Sequence, residues 1–127
     1  MVKKTVLIVE DDRALRELYR TVLRQAGYEA GAVEDGTDAL HRLEHWTPDV
    51  VVLDLALPRL DGRDLRHELR SRPDTRDIPV IVVTGTDTSD LDKNDFAAIL
   101  RKPIDTDALV QAVDAAVRIR RATAEPT

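Results

Sequence analysis

The chain has 127 residues, a net charge of −5 with acids and bases both plentiful, no cysteine and three histidines. One domain of this length buries about two-thirds of its unfolded surface, and without thiols it has no disulfides, thiol nucleophiles or thiolate metal sites. The acidic balance argues against a nucleic-acid module, the scattered histidines against zinc, and the lack of any ~20-residue apolar run against a membrane span, so a cytoplasmic protein is expected.

Residues 5–9 form a short apolar run that ends in Glu10-Asp11-Asp12, which reads as a buried strand finishing in acid. Asp12 suits the N-cap of a helix with Leu15, Leu18, Tyr19, Val22 and Leu23 on one face, stopped at Gly27. Residues 28–33 read as a shorter, less apolar strand, and Ala39, Leu40 and Leu43 mark the inner stripe of the next helix. Trp46-Thr47-Pro48 ends that helix, and Trp46 is expected to pack at the periphery. Residues 50–53 are an unbroken β-branched and aliphatic run that delivers Asp54 to its end, with Pro58 forcing a turn soon after. A helix over residues 63–71 follows, then a buried strand over 78–83 running into Thr84. Residues 88–96 are polar and weakly periodic, which predicts a short or irregular helix. The last strand covers residues 97–101 and ends at Lys102-Pro103. From about residue 105 an amphipathic helix runs to the basic stretch 118–121, leaving 122–127 as a loose tail. Residues 1–121 thus form one domain.

Strands alternating with helices five times predict a doubly wound parallel sheet. In such sheets ligands gather beyond the carboxyl ends of the strands, so Asp11, Asp12, Asp54, Thr84 and Lys102 should share one rim. Three crowded aspartates stay ionised only with a compensating cation, and an all-oxygen donor set suits Mg²⁺. An aspartate can also attack a phosphoryl group, a reaction that needs positioning, a metal, and cationic or hydroxyl donors. Each residue has a plainer reading as well: an N-cap for Asp11 or Asp12, a turn for Asp54 or Thr84, a solvated charge for Lys102. Glu10 reads as structural or as a residue supporting the site's own ligands, and the histidines as surface residues.

Val9-Glu10-Asp11-Asp12, Leu53-Asp54 with Pro58 and Asp61-Gly62, residues 79–85, and Lys102-Pro103 together resemble the receiver domain of two-component response regulators, over nearly the whole chain. The resemblance implies a flavodoxin-like five-stranded sheet of order 2-1-3-4-5 with about five helices. It implies that Asp54 is the phosphoacceptor of a sensor histidine kinase or phosphotransfer protein. Asp11, Asp12, Asp54 and the backbone carbonyl of Ala56 would hold Mg²⁺, while Thr84 and Lys102 would contact the phosphoryl group. Lys102-Pro103 would be a cis peptide. Any catalysis would be limited to self-phosphorylation from small donors and autodephosphorylation, rapid because Ala56 and Thr86 are small. Output would pass to an unidentified downstream protein, with a homodimer allowed and no direct contact with nucleic acid or membrane.

The sequence departs from that family in two places. Ile99 stands where a mobile Tyr or Phe is usual, and the stretch from Thr84 to Lys102 is about four residues short, so the fourth helix should be truncated or remodelled. One reading gives the missing ring's part to Phe96. Two other functions compete: an interaction module that is never phosphorylated, and an aspartyl-phosphate phosphatase. The latter usually carries an acid two residues after its nucleophile, where this chain has Ala56.

Overall fold

The computed structural model describes residues 3–124, with side chains described as far as residue 119. Five strands, β1 (Thr5–Val9), β2 (Glu29–Val33), β3 (Val50–Leu53), β4 (Val80–Thr84) and β5 (Ala98–Arg101), form one sheet in the order β2-β1-β3-β4-β5. Every pairing is parallel. The helices are α1 (Arg13–Gln25), α2 (Gly36–Leu43), α3 (Gly62–Ser71) and α4 (Thr106–Ala124). The first three are N-capped by Asp12, Asp35 and Asp61, whose carboxylates accept from Leu15, Asp38 and Asp64 N–H. Residues 125–127 of the expected tail lie outside the described residues, and the helix expected to end near residue 121 continues to Ala124.

A parallel sheet covered on both faces needs two cores, and the apolar strands supply both. On one face Ile8, Val52 and Val83 pack against Tyr19 and Leu23 of α1 and Leu109 and Val113 of α4. On the other, Leu7, Leu53 and Val80 meet Ala39 and Leu43 of α2 and Leu65 and Leu69 of α3. Trp46 is half-buried beside this second core, with the Arg42 guanidinium 4.9 Å from its ring centre.

Between β4 and β5 the expected fourth helix is reduced to a single 3₁₀ turn, Lys93–Asp95. The reason is local. Asp87 and Asp92 bend the backbone by accepting from Ser89 and Asn94 N–H, a side-chain pattern that competes with helix. Three arginines of α3 then take the place of an apolar helix interface. Arg63 grips Asp90 with two hydrogen bonds of 3.1 and 3.0 Å, Arg66 donates to the Asp95 carbonyl, and Arg70 pairs with the Asp95 carboxylate at 2.6 Å. The cost is visible in β5, which is only half-buried and ends exposed at Arg101, whereas β3 and β4 are buried throughout.

Candidate phosphoacceptor site

Register sets the site. Val9 of β1 lies opposite Leu53 of β3, so the next residues, Glu10 and Asp54, leave their strands side by side. Both carboxylates are almost fully buried, at 1% and 5% exposure. The N–H of Asp54 donates to the Val9 carbonyl and that of Glu10 to the Val33 carbonyl, which fixes both backbones to the ladder. Asp54 Oδ1 accepts from the Ala56 N–H at 3.0 Å, and its Oδ2 accepts from Lys102 Nζ at 2.8 Å.

Lys102 also reaches Glu10 Oε1 at 2.7 Å. Burial pushes the Glu10 carboxyl up to about 7, against the pull of Lys102 and the Asp12 N–H. Burial would lower the Lys102 ammonium, but its hydrogen bonds to Asp54 and Glu10 outweigh that and hold it above the usual lysine range. One lysine is thus shared between two buried acids. Lys102-Pro103 is cis, and the Lys102 N–H donates to the Thr84 carbonyl.

Glu10, Asp11 and Asp54 can each bring a carboxylate oxygen within 4.8 Å of the others. Of the acidic pair read from the sequence, Asp11 is in this group and Asp12 is not. Its side chain is spent on the N-terminus of α1, accepting from Leu15 N–H at 3.0 Å, while Glu10 occupies the inner place. The signal was present in the period-two alternation of the strand. Ile8 faces the α1 core, so Glu10, two residues on, faces the same way. Arg16 escaped the sequence reading altogether; its Nη1 donates to the carbonyls of Glu10 (3.0 Å) and Asp11 (3.3 Å) and braces the acidic loop.

Thr84 is fully buried at the end of β4, and its hydroxyl lies 3.0 Å from that of Thr86 while accepting from the Thr86 N–H at 3.2 Å. It is engaged with its own loop, not with Asp54. Phe96 does not fill the place of the absent ring. The Ala97 N–H bonds the carbonyl of Val80, where β4 begins, so Phe96 sits a strand length from Thr84. Its ring packs on the α3-side core under Arg66, 5.4 Å from the guanidinium.

The loop after β3 is clamped from two sides. A Cβ on Gly62 would stand 2.6 Å from the Asp54 carbonyl oxygen, and one on Gly36 would stand 2.3 Å from that of Leu60. Arg59 adopts φ 64°, a left-handed conformation unfavourable for a residue with a side chain, and its guanidinium pairs with the buried Asp35 at 3.0 Å.

The family model described as the response regulator receiver domain matches residues 6–114. The response regulator MprA of Mycobacterium sp. (strain KMS) is 43% identical over 83 residues, which cover 65% of this chain and 35% of that protein. The chain therefore matches about a third of the length of such curated relatives. Among solved structures, a CheY-like response regulator receiver domain from Methylobacillus flagellatus aligns with TM-score 0.80 at 34% identity, covering 91% of this chain and 99% of the other. The receiver domain of a signal transduction histidine kinase from Syntrophus aciditrophicus aligns with TM-score 0.78 at 27% identity, covering 98% and 94%.

Proposed function

The chain belongs to the response regulator receiver domain family of two-component systems, and from that premise we propose that it is a phosphoacceptor switch charged on Asp54 by a histidine kinase or phosphotransfer protein. The observation that carries this reading is the sharing of Lys102 between Asp54 (2.8 Å) and Glu10 (2.7 Å) at a buried rim. An ammonium held by two acids can release one of them when new negative charge arrives.

The donor set suits a hard divalent cation: three carboxylates converge on one place with a single lysine against them. Glu10, Asp11, Asp54 and the backbone carbonyl of Ala56 would hold Mg²⁺, with Glu10 taking the part first assigned to Asp12. When bound, Mg²⁺ supplies positive charge to the oxygens of the transferred phosphoryl group. A carboxylate oxygen of Asp54 attacks phosphorus; the new O–P bond forms as the P–N bond of the phosphohistidine breaks and the imidazole leaves. The Ala56 N–H orients the Asp54 carboxylate during attack. Lys102 then follows the phosphoryl oxygens, and the Thr84 hydroxyl turns from Thr86 to meet them. Signalling proceeds through protein contacts with a downstream partner, or with a second copy, in the cytoplasm.

Incubation with Mg²⁺ and acetyl phosphate followed by intact mass measurement tests the proposal. A single base-labile phosphate adduct is expected, and Asp54→Asn should abolish it. A folded wild type that takes up no phosphate would favour a second reading, an interaction module without phosphorylation. That reading draws on Ile99 and on the reduction of the fourth helix to one 3₁₀ turn.

A further inference from the structure

Tyr19 is the largest fully buried side chain among the described residues, at 1% exposure. Its hydroxyl has no hydrogen-bond partner. Burying a hydroxyl without a partner is destabilising, so an apolar side chain would satisfy packing at this position more cheaply. The oxygen is therefore placed where it costs stability in the resting protein.

The surroundings show what it is near. Helical side chains lean toward the N-terminus of their helix, and α1 starts at the acidic rim, directly after Asp12. Tyr19 packs in the same core face as Ile8, Val52 and Leu100. Strand alternation puts Glu10, Asp54 and Lys102, each two residues further along, above that face. The hydroxyl is pushed up to about 12, first by burial, and it feels the charges of Lys102, Glu10, Asp54 and Asp12. Also on this side is the buried Glu10 Oε1, with the Lys102 ammonium 2.7 Å away. On this face, then, Tyr19 carries a hydroxyl without a partner, and Glu10 Oε1 depends on the Lys102 ammonium.

We propose that Tyr19 is a positioning residue of the switch: its hydroxyl donates to Glu10 Oε1 when Lys102 leaves Glu10 for a phosphoryl group on Asp54. The hydrogen bond is absent in the resting state and forms in the charged one. It replaces the lost ammonium on a buried carboxylate and so favours release of Lys102. This inference rests on the phosphoacceptor reading of Asp54.

Tyr19→Phe tests it, with beryllofluoride and Mg²⁺ as the phosphoryl probe. Without the probe, the variant should be as stable as wild type in urea or more so, since the lost oxygen had no partner. With the probe, it should need about tenfold more beryllofluoride for half-saturation, the scale of one hydrogen bond to a charged group. In wild type the ¹³Cζ resonance of Tyr19 should shift on saturation, a readout that a packing role would leave still and that needs no variant. In a Glu10→Gln background, Tyr19→Phe should change half-saturation far less. A resting destabilisation by Tyr19→Phe, an unchanged half-saturation, or a stationary Tyr19 resonance would each overturn the proposal while leaving the site reading intact. A wild type that binds no beryllofluoride overturns both, and wild type alone reveals that case.

Discussion

At β1 and β3 the carboxyl rim is built on strands buried on both faces, while at β4 and β5 the sheet runs into a segment fastened by arginines. The first region holds its acids by backbone register: Glu10 and Asp54 are each bonded into the ladder one residue beyond their strands. The second is held by side chains, among them the exposed pairs Arg63–Asp90 and Arg70–Asp95. Exposed pairs of this kind are worth up to about 1 kcal/mol each, far less than a buried aliphatic helix interface. The acids stand on rigid support, and the segment between β4 and β5 is cheap to move. Beside β5 this leaves a groove of about 360 Å³ lined by Lys93, Phe96, Ala98, Ile99 and Arg101, among others.

The sharpest way to break the contrast is at the rigid end. Lys102→Ala leaves the buried Glu10 and Asp54 facing each other without a counter-charge. Breaking a buried pair in this way should cost about 3 kcal/mol, read from urea unfolding without divalent ions. Added Mg²⁺ should restore part of that loss, and no recovery would argue against a cation site at these acids. Next in size is Gly62→Ala. Its Cβ would meet the Asp54 carbonyl and the Leu55 backbone at 2.6 Å, so stability should fall by roughly 1–3 kcal/mol. The phosphate uptake of this variant should fall as well, because the displaced loop carries the Ala56 N–H. Unchanged uptake would show that the clamp on this loop does not matter to the acceptor. The smallest effect belongs to the arginine-held segment. Raising salt from about 0.1 M to about 1 M shortens the screening length from ~10 to ~3 Å. Amide exchange should then quicken over residues 86–97 and stay unchanged in β1 and β3. Equal acceleration in both regions would erase the distinction.

Much of this was legible before any coordinates. The strands were readable because a residue run buried on both faces must be apolar throughout, and Asp54 and Thr84 stand out as the first polar residues beyond such runs. Glu10-Asp11-Asp12 offers three carboxylates in a row, and only the facing of β1 decides which one turns inward. Asp12 satisfies both an N-cap signature and a ligand signature, and the α1 backbone claimed it. Phe96 was placed near the switch by sequence distance, yet the chain returns to the start of β4 before β5 begins.

By itself, then, the order of apolar runs and acids determined the sheet, its two cores and the rim on which Asp54 stands, because burial and period-two alternation are local properties that each strand carries in its own residues. Only the tertiary structure decided that Lys102 is shared with Glu10, that α3 arginines replace a helix, and that Tyr19 is buried with an unpaired hydroxyl. Those facts depend on register and distance between elements remote in the chain, and no single segment encodes either.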